Sequence, residues 1–457
     1  MNAKVDQYFH SLQGKRIVVL GIGVSNRPLI GMLLRYGLDV TACDRTEREN
    51  LEPEVLELEA AGAVLQVGAN YLEGLQADVV FRTPGMHPNI PALQKLRDDG
   101  AVITSEMEAF FEVCPCPILA VTGSDGKTTT TTLIAEILKQ AGRTVWIGGN
   151  IGQPLLPLAR DMAEDHLAVV ELSSFQLMHM TQSAHVAVVT NLAPNHLDVH
   201  RDMEEYIEAK ENVFLHQTAA DKVVLNGDNA ITAGFAPKAK GSVLWFSRQE
   251  KPENGAWLDG DTIWFRGEPV LKREEIVIPG LHNVENYMAA LCAVEEFATP
   301  DDVVAVARTF GGVEHRIELV RILDGVRYYN DSIASSPTRT IAGLHAFDQK
   351  VILIAGGYDK KIPFDVLGPE VVQHVKHLIL CGVTAPKIRQ AVEQAPGYRE
   401  GVPGIVVTNT LQEAVLEAKR LAQEGDIVTL SPACAAFDQF KNFMVRGKAY
   451  KEMVQRL

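Results

Sequence analysis

The sequence predicts an α/β fold in three domains, each a largely parallel sheet covered by helices. Three observations carry that expectation. Short runs rich in Val, Ile and Leu alternate with stretches of helical periodicity along the chain, as in sheets buried on both faces. Several runs stop at a Gly-rich or acidic turn, as strands do at nucleotide-binding edges. The length, 457 residues, is three times the ~150 residues of a common domain.

The first segment opens with the apolar run Arg16 to Leu20, then Gly21-Ile22-Gly23 and a helix to Tyr36 that Gly37 stops. A second strand, Leu38 to Cys43, ends at Asp44, and a further one, Asp78 to Phe81, ends at Thr83-Pro84-Gly85. Strand, Gly-turn, helix, strand, acid is the start of a nucleotide-binding βαβ unit. The second segment begins near Cys114. Pro117 to Val121 is a strand, Thr122 to Thr129 a Gly-rich loop, and the next helix carries Leu133, Ile134, Ile137 and Leu138 before stopping at Gly142. Leu167 to Leu172 and Val186 to Thr190 read as strands, and Asp221 to Ile278 as strands and turns. The third segment starts around Gly311-Gly312. Val326 to Tyr329, Val351 to Ala355, Leu378 to Leu380, Ile405 to Val407 and Ile427 to Leu430 are its strands, with helical patterns between most of them, which implies a parallel sheet.

Composition narrows the function. Hydrophobic residues make up 46% and charged residues 22%, which excludes wholesale disorder. A net charge of −15 argues against binding nucleic acid or an anionic membrane through bulk charge. No apolar run approaches the ~20 residues of a membrane span, and the first residues lack the apolar core of a signal peptide, so a cytoplasmic protein is expected. The six cysteines are dispersed apart from Cys114 and Cys116. They read as buried or surface thiols, not as a disulfide framework or zinc site.

The strongest local signal is Thr122-Gly123-Ser124-Asp125-Gly126-Lys127-Thr128-Thr129. A strand, a glycine loop and a helix N-terminus can wrap phosphates with backbone N–H groups, Lys127 reaching the outer phosphates and Thr128 offering its hydroxyl to Mg²⁺. The loop is short: the longer version needs a glycine where Val121 stands. Glu171, at the end of an apolar strand, can ligate that Mg²⁺, although an isolated strand-end acid more often faces solvent. His196 and Asp198 follow the next strand, on the same functional edge. Lys210 is an oddity. On a helix taken from Asp202 to Leu215, Met203, Ile207 and Phe214 form an apolar stripe that includes Lys210, while Glu204, Glu205, Glu208 and Glu211 cover the opposite side. Either the lysine snorkels to water along its stem, or it is held against a site as a neutral amine. Further on, His315-Arg316, Asn330-Asp331-Ser332, Gly356-Gly357-Tyr358-Asp359-Lys360 and Ser431-Pro432-Ala433 suggest a second ligand edge.

With these runs in order, the chain resembles the Mur ligases over its whole length. The resemblance adds Gly148-Gly149-Asn150-Ile151-Gly152, Glu171-Leu172-Ser173-Ser174, Asn195-His196-Leu197-Asp198 and Gly280-Leu281-His282-Asn283-x-x-Asn286. It implies a Rossmann-like N-terminal domain (1–107) that holds a UDP moiety. It also implies a central P-loop ATPase-type domain (108–312) and a C-terminal Rossmann-like domain (313–457) that closes over ATP and brings an amino acid. Gly123, Ser124, Asp125, Gly126, Lys127, Thr128 and Thr129 would hold the ATP phosphates, Asn286 would face adenine, Asp331 the ribose and Arg316 the phosphates. Ser25, Asp44, Thr83, Asn150 and His196 would contact the UDP substrate. Thr128, Glu171, His196 and Lys210, the last carbamylated by CO₂, would serve two Mg²⁺ ions. Lys127, His196, Lys210 and Arg316 would be catalytic.

The Phe437-Asp438-Gln439-Phe440 run and the Thr83-Pro84-Gly85 turn favour the member of the family that adds D-glutamate to UDP-N-acetylmuramoyl-L-alanine through an acyl phosphate. Two departures fall where the amino acid binds: Ile333-Ala334-Ser335-Ser336 replaces Lys-Ala-Thr-Asn, and Ala436 stands where Ser is frequent. Ser335, Lys360 and Phe443 stay as candidate contacts. A monomer without nucleic-acid partners is expected. The competing readings are another Mur ligase or an enzyme like folylpolyglutamate synthase, an NAD-dependent dehydrogenase built on the Gly21 turn, and an ATP-driven switch that ligates nothing.

Overall fold

A computed structural model describes residues 2–178, 180–194 and 199–457. The chain is mixed α/β, built on three sheets. It divides into two compact units, Met1–Arg273 with Glu285–Val306, and Glu274–Val284 with Ala307–Leu457.

The first sheet holds β1 (Ile17–Leu20), β2 (Val40–Asp44), β3 (Val64–Val67), β4 (Val79–Arg82) and β5 (Val102–Thr104), in the order β3-β2-β1-β4-β5 and all parallel. Ile17 and Val19 pack into one apolar cluster and Val18 and Leu20 into another. Both faces of β1 are therefore buried, which explains its unbroken apolar run. The order reverses at β1, whose neighbours are β2 and β4. Strand β1 runs there into Gly21, at φ 86°, where a Cβ would come within 2.7 Å of Thr83. Only glycine tolerates both the angle and the approach.

The second sheet comprises β6 (Ile118–Thr122), β7 (Val145–Gly149), β8 (Leu167–Glu171), β9 (Val186–Val189), β10 (Lys222–Asn226), β11 (Ser242–Ser247), β12 (Gly255–Asp259), β13 (Thr262–Phe265) and β14 (Glu268–Lys272). Its order is β14-β13-β12-β11-β10-β9-β6-β8-β7, with β13 and β14 antiparallel additions to an otherwise parallel sheet. Central β6 has β8 on one side and β9 on the other, so the ends of β6, β8 and β9 lie side by side. The helix Lys127–Gln140 follows β6, with Leu133, Ile134, Ile137 and Leu138 fully buried.

The third sheet, in the second unit, contains β15 (Glu318–Leu323), β16 (Val326–Asn330), β17 (Val351–Ala355), β18 (Val375–Leu380), β19 (Gly404–Val407) and β20 (Ile427–Leu430), in the order β15-β16-β20-β17-β18-β19. Five strands are parallel, as expected. The sixth, β15, is antiparallel to β16 through a turn at Asp324 and Gly325, both at positive φ. That backbone matches the right-handed twist of a hairpin.

The helix expected to reach Leu215 is shorter, Met203–Glu211, capped at its start by the Asp202 carboxylate on the Glu205 N–H. Glu211, expected on the solvent side, is buried at 4% exposure and pairs with Lys238 at 2.5 Å. Its ion pair offsets the cost of burying a carboxylate. Among the described residues all six cysteines are buried and free, and no helix is long and apolar enough to cross a membrane.

Candidate active site

Beyond Thr122 the chain turns sharply into the helix Lys127–Gln140. Gly123 adopts φ 145°, and a Cβ there would lie 1.9 Å from Thr190 Oγ1. The loop is tied down from the end of β9. The Asn191 carbonyl accepts from the Ser124 N–H at 2.9 Å, Asn191 Oδ1 accepts from the Asp125 N–H at 2.9 Å, and the Thr190 hydroxyl donates to the Asp125 carbonyl at 2.6 Å. The Ser124 hydroxyl sits 3.0 Å from that of Tyr206. Lys127 Nζ curls back to donate to the carbonyls of Gly123 and Ser124, at 3.0 and 2.8 Å. Gly126, at φ 77°, precedes the helix without a side-chain cap. The first N–H groups of the helix and a lysine ammonium thus converge on one loop, an arrangement suited to phosphate oxygens. Asn286 joins it: its Oδ1 accepts from Thr130 Oγ1 at 3.1 Å and would lie 2.6 Å from a Cβ on Gly126.

At the neighbouring end of β8, Glu171 is 1% exposed. Asn150 Nδ2 donates to its Oε1 at 2.7 Å, while Oε2 has no hydrogen-bond partner among the described residues. An unpartnered carboxylate oxygen in a dry site is costly unless a cation meets it. Lys210 is 2% exposed and does not reach water along its stem. Its Nζ donates to Thr122 Oγ1 at 3.0 Å, and that hydroxyl donates to the Leu172 carbonyl at 2.7 Å. Burial, and then the Lys127 charge, hold the amine well below the usual lysine range against the opposing pull of Glu171. Desolvation thus disfavours the charged form of this amine beside the loop. His196 and Asp198 lie outside the described residues.

In the first sheet, Asp44 Oδ2 accepts from the Ile22 N–H at 2.8 Å and Oδ1 from Thr46. Burial pushes this carboxyl up, but those donors outweigh it and keep it below the ordinary value. Ser25 precedes the helix Asn26–Arg35 and makes no capping bond of its own. Thr83 packs over Gly21, and its N–H donates to the Leu20 carbonyl at 2.9 Å. Buried Arg82 donates to the carbonyls of Thr83, Pro84 and Met86 and, at 3.1 Å, to that of Phe175, linking this edge to the segment after β8.

In the second unit, Asp331 ends β16. Ser431 Oγ donates to its Oδ2 at 2.7 Å, and burial raises its carboxyl to about 7. His315, at φ 67°, packs edge-on against Phe443 at 5.9 Å. Arg316 and Lys360 are exposed, and Ser335 is half-buried. Ser332 Oγ donates to the Phe443 carbonyl at 2.8 Å and accepts from Arg446 Nε at 3.0 Å, so Ser332, Phe443 and Arg446 form one connected group. The Tyr358 N–H donates to the Ala435 carbonyl at 2.9 Å, which joins the loops after β17 and β20.

Residues 121–294 match the Mur ligase middle domain, and residues 315–434 match the Mur ligase glutamate ligase domain. The chain belongs to the Mur ligase family. It is 51% identical to a UDP-N-acetylmuramoylalanine–D-glutamate ligase of Acetivibrio thermocellus and 50% identical to that of Clostridium novyi, over 100% of every chain compared. Among solved structures it is similar in fold to the UDP-N-acetylmuramate–alanine ligase of Thermotoga maritima, with TM-score 0.58 and 18% identity over 97% of this chain and 99% of that one.

Mur ligases use ATP, and the loop after β6 suits its phosphates. Several residues around it were not singled out in the sequence. Thr190 and Asn191 brace the loop and Tyr206 meets Ser124. Tyr206 precedes Lys210 by one helical turn, and that spacing was the available signal. Arg446 was missed as well. It is 3% exposed, its Nη1 has no hydrogen-bond partner among the described residues, and burial lowers its guanidinium to about 10. It lies three residues after Phe443, on the same side of the helix Phe443–Gln455.

Proposed function

We propose that this chain is an ATP-dependent ligase that joins D-glutamate to UDP-N-acetylmuramoyl-L-alanine in peptidoglycan precursor synthesis. The observation that carries this reading is the burial of a bare carboxylate oxygen on Glu171 and of the Lys210 amine, next to a glycine-lysine loop. A dehydrogenase would have no use for that group. The relatives over the full length are named for this reaction.

A free carboxylate is a poor electrophile. In the proposed reaction the alanyl carboxylate attacks the γ-phosphorus of ATP, ADP leaves, and an acyl phosphate results. The neutral amine of D-glutamate adds to the acyl carbon. The tetrahedral adduct loses phosphate, and the ammonium proton passes to solvent. Lys127 and the N–H groups of Gly123 to Thr129 hold the phosphates in line and neutralise their charge. Thr128, Glu171, His196 and Lys210 are the proposed ligands for two Mg²⁺ ions, and the lone oxygen of Glu171 fits that role. When bound, Mg²⁺ offsets the negative charge on the phosphate oxygens. Lys210 would contribute as a carbamate: the unprotonated form of Nζ would bond to CO₂ and shed a proton, replacing a buried amine by an anionic oxygen pair.

On the same reading Asn286 serves adenine, Asp331 the ribose and Arg316 the phosphates. Ser25, Asp44, Thr83, Asn150 and His196 serve the UDP substrate, and Ser335, Lys360 and Phe443 the amino acid. The functional domains are then 1–107, 108–312 and 313–457, in a monomer acting in the cytoplasm.

The test is ADP release with ATP, Mg²⁺ and UDP-N-acetylmuramoyl-L-alanine, screened over D-glutamate, L-glutamate, L-alanine and L-lysine. D-Glutamate alone is expected to raise the rate and yield a new amide. A rate indifferent to D-glutamate, or raised by another amino acid instead, overturns the reading.

A further inference from the structure

We propose that His345, Glu370 and His374, in the second unit, form a three-ligand site for a borderline divalent transition-metal ion of the zinc class. The three offer ligand atoms that all lie within 4.8 Å of one another. His345 Nε2 is 2.7 Å from Glu370 Oε2, and His374 Nε2 is 3.6 Å from the same oxygen. Bonds of about 2.0–2.1 Å to a tetrahedral zinc ion set ligand atoms about 3.3 Å apart. These two separations bracket that figure, and the third pair, the two imidazoles, lies within 4.8 Å.

The sequence and the fold bring the donors together by two routes. Glu370 and His374 are four apart on the helix Leu367–His374, hence on one face. His345 caps the C-terminus of the helix Pro337–Leu344. Two helix C-termini therefore meet at the cluster, and their partial negative charge favours a cation. Lys350 opposes it, its charge adding to the burial that lowers His374, but its ammonium is turned to the Val372 carbonyl at 3.1 Å. The donor set selects the metal. Two imidazoles and one carboxylate suit zinc, cobalt or nickel better than Mg²⁺ or Ca²⁺, which prefer oxygen alone. The His345, Glu370 and His374 side chains are 50%, 29% and 23% exposed, which leaves a fourth position to water. Such an ion would pin the helix Pro337–Leu344, whose Thr340 hydroxyl already donates to the Ser431 carbonyl at 3.2 Å, to the helix behind it.

The experiment uses the full chain, stripped by chelator and kept in saturating Mg²⁺ so that hard-cation sites are filled. Zinc is titrated against a chromophoric chelator, and the thermal midpoint is followed with and without zinc. The parent is expected to bind one equivalent and melt higher with it. His345→Ala, His374→Ala and the isosteric Glu370→Gln are each expected to bind it at least tenfold more weakly, with little or no rise in midpoint. Their far-ultraviolet circular dichroism and zinc-free ADP release should match the parent's. Equal zinc affinity in parent and variants, or no zinc bound by the parent at micromolar concentration, overturns the site. Neither result bears on the ligase reading, which the amino-acid screen tests separately.

Discussion

Burial away from water and a second lysine nearby both disfavour the charged form of a lysine amine, and the neutral form is a nucleophile. Lys210 meets both conditions, and its amine donates to the Thr122 hydroxyl. If its task is to become an anion, Lys210→Ala removes that anion but leaves a space lined by Thr122 and Tyr206. The variant is expected to lose at least a hundredfold in ADP release. Acetate or formate at tens of millimolar should restore part of it by supplying a carboxylate to the space. An active alanine variant, or one that no small carboxylate rescues, would remove the carbamate from the mechanism. At this scale the sequence was informative where chemistry is concentrated in one short run, as at Gly123 to Thr129. It was less so where partners come from distant strands. The Asn150–Glu171 bond spans 21 positions and the Ser124–Tyr206 contact 82, and no spacing rule reaches so far. Periodicity placed Lys210 on an apolar face, and only the three-dimensional neighbours decide between snorkelling and burial.

At the scale of elements, the strands that escaped the sequence reading share one property. β3, β5, β7 and β15 all lie at the edge of a sheet. An edge strand has one partner and a face or flank open to water, so its residues are mixed. Val64 and Val102 are exposed, β7 ends in two glycines, and β15 carries Glu318 and Arg321. Central strands such as β17 and β20, buried along their whole length, were read to the residue. The same logic bears on the loop after β6. Its path depends on a left-handed glycine wedged against the end of β9. Gly123→Ala would set a methyl group into Thr190 Oγ1 and force a backbone angle that side chains avoid. The expected cost is of order 1–3 kcal/mol of unfolding free energy from urea titration, with ADP release lost beyond what unfolding explains. A variant as stable and active as the parent would show that the loop relaxes freely.

At the scale of the molecule, the chain folds as two compact units. Units with separate cores need not melt together. The proposed contacts of the UDP substrate, Ser25, Asp44, Thr83 and Asn150, all belong to the first. UDP-N-acetylmuramoyl-L-alanine at a hundred times its dissociation constant is expected to stabilise that unit by about 2.7 kcal/mol. In a urea titration followed by hydrogen exchange, protection in β1 and β4 should persist to higher denaturant, with β17 and β20 unmoved. A uniform shift would mean that the units unfold as one. The burial of Lys210 has one more consequence. If Lys210 works as the proposed carbamate, taking up dissolved CO₂ ties the competence of each molecule to the air above the buffer. On that reading, sparging with nitrogen or long dialysis at low pH would leave a correctly folded protein idle until bicarbonate is returned.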